Sequence, residues 1–297
     1  MTGNSSISLR MWHVLRQGAN RLSRDAQRRI REYAASQTDE SGFFMNRHQQ
    51  PDIYYTAFGL TVAQALGMKI DRKKIGQSLG NCRPDTSDLV HFASYIRSLL
   101  ALAWMDTPGW LSWIRYRALC FRTTLPAFPT VPHDDPQSPY TRFVLLSLRE
   151  DLLCGRSGWK AIPEALEDYR TPGGGYANVR RASCASTNAT AAALSVRGQL
   201  RGYRPDGDVT FLRDMQDDSG GFAATQRTPA PDLLSTATAL FTLYNYGLSP
   251  RTDPGDFVEA HWMDSGGFAA TLPDDDSDME YTFYGLLALG TCGIKHI

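Results

Sequence analysis

Six times along the chain a polar segment gives way to an apolar run of helical length. The runs begin near residues 53, 88, 139, 186, 232 and 278 and read "IYYTAFGLTVAQAL", "LVHFASYIRSLLALAW", "PYTRFVLLSLRE", "TNATAAALSV", "LLSTATALFTLYNYG" and "MEYTFYGLLALG". Each is hydrophobic nearly all round, so each predicts a helix buried on most sides. Asp or Ser stands just ahead of every run, where an N-cap accepts hydrogen bonds from free backbone N–H groups. More polar, amphipathic segments lie between them, at 21–36, 71–79, 108–122, 162–170, 205–216 and 253–263. The pattern is six inner helices alternating with six outer ones.

The alternation is a repeat. "SGFFMNRHQQPDIYYTAFGL", "GGYANVRRASCASTNATAAAL", "GGFAATQRTPAPDLLSTATAL" and "GGFAATLPDDDSDMEYTFYGLLALG" align on an aromatic after small residues: Phe43, Tyr176, Phe222 and Phe268. The last three are 46 residues apart, and Phe43 precedes Tyr176 by 133, about three such periods. Asp52, Ser186, Asp232 or Asp278 follows nine or ten residues later, and Thr56, Thr190, Thr236 or Thr282 four residues after that. Glycine before the aromatic predicts a tight turn, and the aromatic predicts a plug between neighbouring units. Weaker units begin at Asp85 with Asp88, and at Ser138, Pro139 and Thr141. Closing six helix pairs into a ring leaves no inner helix with an open flank. The expected fold is all-α: a single (α/α)6 barrel, or toroid, over residues 21–297, with residues 1–20 as an N-terminal arm.

Composition narrows the function classes. The 31 basic and 31 acidic residues balance, which argues against a nucleic-acid binder. No run reaches the length of a membrane span, and residues 1–21 carry no signal-peptide core. Five cysteines at 82, 120, 154, 184 and 292 have no C-x-x-C spacing and fit reduced thiols in the cytoplasm.

The Gln-x-x-x-Gly-Gly-Phe theme, complete at "QDDSGGF" (216–222), together with "STATAL" and "EYTFYGLLALG", resembles the prenyltransferase and squalene-cyclase repeat. The resemblance covers residues 22–292. It implies the superfamily of class II terpene cyclases and protein prenyltransferase β subunits, whose chemistry lies at the N-terminal ends of the inner helices. Prenyltransferase β subunits hold zinc with Asp-x-Cys at the start of inner helix five and His at the start of helix six. Asp232 matches the first ligand, but Leu234 and Tyr281 stand at the other two positions. Zinc prefers thiolate and imidazole, so a zinc site is not expected.

Class II cyclases carry Asp-x-Asp-Asp-Thr, whose middle Asp is a protonated general acid. Laid on Thr282, the motif places Glu280 at the acid and Tyr281 at the last Asp, with Asp278 and Asp276 alongside. Clustered carboxylates and burial both raise a pKa, which suits an acid that must stay neutral near pH 7. The resemblance therefore implies a class II-like terpene cyclase. Glu280, Asp278, Asp276 and Tyr281 would be catalytic. Tyr54, Tyr55, His91, Phe92, Tyr95, Tyr140 and Tyr284 would line an aromatic cavity that holds an isoprenoid or isoprenyl diphosphate and stabilises carbocations. Arg142, Arg181, Arg227 and Asp232, near inner-helix starts, would contact the substrate, the arginines gripping a diphosphate. Protonation needs no cofactor, and magnesium enters only with a bound diphosphate. Arg97, mid-helix in an apolar run, is expected to pair with an acid across the barrel. Oligomeric state is left open. Two alternatives remain: a non-catalytic lipid- or protein-binding barrel, and a prenyltransferase-like subunit that needs a partner chain.

Overall fold

The six capped apolar runs all form helices in the computed structural model, which describes residues 6–82, 88–105, 109–123, 125, 137–153, 162–198, 203, 205–228 and 230–292. The helices are α1 (Ile7–Arg21), α2 (Arg24–Ser36), α3 (Ile53–Ala65), α4 (Arg72–Asn81), α5 (Leu89–Trp104), α6 (Gly109–Arg122), α7 (Pro139–Asp151), α8 (Ile162–Glu167), α9 (Thr187–Arg197), α10 (Asp206–Asp214), α11 (Leu233–Asn245), α12 (Gly255–Ala260) and α13 (Met279–Thr291). The inner helices α3, α5, α7, α9, α11 and α13 each pack against the next, and α13 packs back against α3, closing a ring. The even-numbered helices form the outer layer. This is the all-α toroid expected.

Every inner helix begins with its cap bonded. Asp52 accepts from the Tyr54 amide at 2.7 Å, Asp88 from Val90 and His91, Ser138 from Thr141, Ser186 from Ala189, Asp232 from Ser235 at 2.7 Å and Asp278 from Tyr281 at 2.8 Å. These bonds satisfy donors that a helix start otherwise leaves open. Asp85 lies outside the described residues.

The repeat has a lock that explains its threonines. The amides of Phe44, Tyr176, Phe222 and Phe268 donate to the hydroxyls of Thr56, Thr190, Thr236 and Thr282 at 3.0, 2.9, 2.9 and 3.3 Å. Each hydroxyl in turn donates to the backbone carbonyl of its helix's capping residue, at 2.6 to 2.8 Å. The four aromatics are among the largest fully buried side chains. In the first copy the plug is Phe44, not Phe43: Phe44 pairs with Thr38 in the same six-residue register as Arg170 with Tyr176 and Gln216 with Phe222. Two adjacent phenylalanines hide that one-residue slip in the sequence. Two residues before each plug the backbone turns left-handed, at Gly42, Gly174, Gly220 and Gly266, with φ between +83° and +95°. Only glycine takes this conformation without strain.

Short antiparallel hairpins carry each plug towards its cap. In the fifth unit β1 (Phe222–Ala223) pairs with β2 (Pro231–Asp232), and in the sixth β3 (Phe268–Ala269) pairs with β4 (Ser277–Asp278). Neighbouring units are stitched at the same level: the Leu233 amide donates to Ala270 O at 3.0 Å and the Thr187 amide to Ala224 O at 2.9 Å. Gln216, the glutamine of the repeat theme, is buried and uses both ends. Its Nε2 donates to Gly220 O and Thr252 O, and its Oε1 accepts from the Arg251 and Thr252 amides.

Helix α1 lies across the C-terminal ends of the inner helices. The Ile7 amide donates to Glu150 at 2.9 Å, Ser8 to Asp151 at 2.6 Å, Arg10 to Asn245 at 3.1 Å and Arg21 to Leu289 O at 2.6 Å. It crosses α13 so closely that a Cβ on Gly18 would overlap the Leu286 carbonyl, and one on Gly290 the Val14 carbonyl. The two ends of the ring therefore differ: α1 covers one, and the capped helix starts surround the other. Among the described residues no helix is long and apolar enough to cross a membrane.

Candidate active site

At the end formed by the capped helix starts, α3 and α13 begin side by side, and their first turns make the site. Glu280, in the first turn of α13, accepts a 2.6 Å hydrogen bond from the Tyr54 hydroxyl in the first turn of α3. Burial pushes the Glu280 carboxyl up to about 7. The Tyr54 bond and Arg47 oppose that rise, and the neighbouring Asp278 carboxylate adds to it. Glu280 thus holds its proton over a range in which an exposed glutamate is ionised.

Aromatic rings adjoin this pair. Tyr54 stacks edge-on against Phe58 at 5.0 Å, Phe58 against Phe283 at 5.1 Å, and Phe283 against Tyr284 at 5.3 Å. Tyr55 meets Tyr54 at 5.6 Å. Tyr284 is enclosed by protein, and burial raises its phenol far above the usual range, with Glu280, Tyr140 and Arg97 in electrostatic reach. It nevertheless keeps part of its surface accessible. Tyr140, at the start of α7, is 41% exposed; what burial it has raises its phenol, Glu280 adds to the rise and Arg97 opposes it.

Asp274 and Asp278, the acids ahead of Glu280 that Arg47 holds, are occupied. Asp278 is 2% exposed; one oxygen caps α13 and the other takes Arg47 Nε at 2.7 Å. Arg47 also grips Asp274 at 2.9 Å and lies 5.4 Å from the centroid of the Tyr281 ring. Burial pushes the Asp278 carboxyl up, against the pull of the Tyr281 amide and Arg47. Asp278 therefore serves as cap, ion pair and negative charge beside Glu280. Its two oxygens are committed, and delivering a proton is not among its tasks. Asp276 is exposed, and it is not among the groups that act on Glu280. A helper role for it does not fit.

Other expected contacts point elsewhere. Phe92 and Tyr95 line a groove between α4, α5 and α6, outside the ring. His91 is exposed, with its imidazole 3.4 Å from Asp88. Arg142 is 2% exposed and donates to Gln137 O at 2.9 Å and to Gln137 Oε1; burial lowers its pKa, Arg180 adds to that, and Tyr169 and Asp168 oppose it. Arg181 and Arg227 are exposed loop residues. Asp232 caps α11 and accepts from both the amide and the hydroxyl of Ser235. Arg97 donates to Ser147 at 2.8 Å rather than to an acid. His133, His296 and Cys154 lie outside the described residues.

A zinc site does not fit these helix starts. Leu234 offers no ligand atom, and the Asp232 carboxylate is committed to Ser235. Among the described residues no three His, Cys, Asp or Glu side chains are placed to hold a metal ion.

The family model for the prenyltransferase alpha-alpha toroid domain matches residues 8–104 and 144–296, most of the chain. No curated protein matches it.

Proposed function

Since the chain belongs to the family of prenyltransferase alpha-alpha toroid domains, we propose that it processes an isoprenoid, as a class II-like terpene cyclase with Glu280 as general acid. The observation that carries this reading is the Glu280 carboxyl, pushed up to about 7 beside Tyr54 and an aromatic wall. In the proposed step the Glu280 O–H bond breaks and its proton adds to the less substituted carbon of the chain's terminal alkene. The alkene π electrons form the new C–H bond, leaving a cation on the more substituted carbon. Further π bonds of the chain close rings onto it, while Tyr54, Phe58, Phe283 and Tyr284 offer ring faces to the moving charge. Loss of a proton from carbon ends the sequence, and a proton returns to the Glu280 carboxylate. Tyr54, donating to Glu280, stabilises that carboxylate once the proton has gone.

The test is incubation with geranyl, farnesyl and geranylgeranyl diphosphate and with squalene, with and without magnesium, followed by mass spectrometry. The expected product is an isomer of unchanged mass, or its dephosphorylated form. Glu280→Gln removes the transferable proton while keeping the side chain's size, so turnover should be lost and substrate binding kept. A Glu280→Gln variant that turns over normally overturns the assignment.

A further inference from the structure

The helix α5 faces two surroundings. Arg97 donates to Ser147 and acts electrostatically on Tyr140 and Tyr284. A different face, with Phe92, Ile96 and Leu99, forms the floor of a groove of about 930 Å³ bounded by α4 and α6. That volume is typical of small-molecule sites, roughly 300 to 1,000 Å³. Lys73 on α4 and Arg115 and Arg122 on α6 stand at its rim, all three exposed. Among the described residues no carboxylate lines the groove, and none of the three cations is in an ion pair with Asp or Glu. In a chain whose charges balance overall, an apolar recess whose described charged residues are all cationic is a local exception.

We propose that this groove binds a single-chain anionic amphiphile, the apolar chain on the α5 floor and a phosphate or carboxylate head at Lys73, Arg115 and Arg122. The chain gains by leaving water, and the head gains charge-assisted hydrogen bonds from the guanidinium groups. The floor residues belong to a face of α5 other than the one that carries Arg97, so this site is separate from Glu280. It holds whether or not the cyclase reading does.

The test is calorimetric titration of the purified chain with dodecyl phosphate below its micelle concentration, with dodecanol as the uncharged control. Saturable binding of dodecyl phosphate is expected. The double variant Arg115→Glu, Arg122→Glu should weaken it on the order of tenfold or more while changing dodecanol little. Ala118, an exposed residue lining the groove, gives a second variant that does not disturb the core: Ala118→Trp fills the recess and should abolish binding of both. Farnesyl phosphate and myristate, run in parallel, separate an isoprenyl from an acyl source. Glu280→Gln should leave these titrations unchanged, and Ala118→Trp should leave turnover unchanged, so the two sites fail separately. Absence of saturable binding overturns the proposal. So does binding that survives Ala118→Trp, including binding seen only with anionic phosphatidylglycerol vesicles, which would mark a membrane-facing surface instead.

Discussion

Glu280 and Asp278 are two residues apart and face different electrostatic problems. Asp278 has Arg47 and a helix amide, whereas Glu280 has a phenol and apolar rings. Two pH effects follow. Catalysis by a protonated Glu280 should fall as pH rises through about 7, seen as a basic limb in the kcat profile. Stability should also depend on this group. Its folded pKa of about 7 exceeds the ordinary 4.5, so the folded state keeps a proton that the unfolded chain releases. The contribution is complete below about 4.5 and is lost as pH rises through about 7. Glu280→Gln should therefore be more stable than the parent at pH 8 by on the order of 2 kcal/mol, with the difference vanishing near pH 4 in urea unfolding. An equal difference at both pH values would mean that ionisation is not its cause. Glu280 was legible because the repeat's threonine, Thr282, set the register in which the resembling cyclase motif puts its acid on Glu280. Arg47 was not: its partners Asp274 and Asp278 lie 227 and 231 residues away, and nothing local marks it.

At the scale of one element, the lock between plug and helix is the repeated device. Thr236 accepts from the buried Phe222 amide and donates to Asp232 O. Thr236→Val keeps the shape and strands a buried N–H, which should cost about 2 kcal/mol; Thr236→Ser should retain most of the stability in the same thermal unfolding experiment. The threonine and its cap could be read from spacing alone, as could the start of every inner helix. Side-chain direction could not. An inner helix such as α5 is apolar nearly all round, so its pattern does not say which stripe faces the centre, and Phe92 and Tyr95 turn out to face the outer layer. The plug of the first unit was likewise ambiguous, because Phe43 and Phe44 satisfy the same pattern and only the hairpin register separates them.

At the scale of the molecule, the ring is closed by its extremes: α13 packs against both α1 and α3. The contact between α1 and α13 depends on two glycines. Gly290→Ala would drive a Cβ into the Val14 carbonyl and should destabilise the fold by about 1 to 3 kcal/mol, visible as a lower Tm with turnover per folded molecule preserved. Closure was foreseeable from counting six units, but the seat of α1 across the helix ends was not, because its amphipathic pattern names a buried face without naming what buries it. The same arrangement has a consequence for synthesis. A ribosome releases α1 first and α13 last of these elements, so α1 must wait for nearly the whole chain before its principal neighbour exists. Until then the growing protein is an open arc with apolar inner helices and an uncovered terminal helix. Contacts so distant in sequence slow folding, and the waiting arc is the species most exposed to aggregation or to chaperone capture.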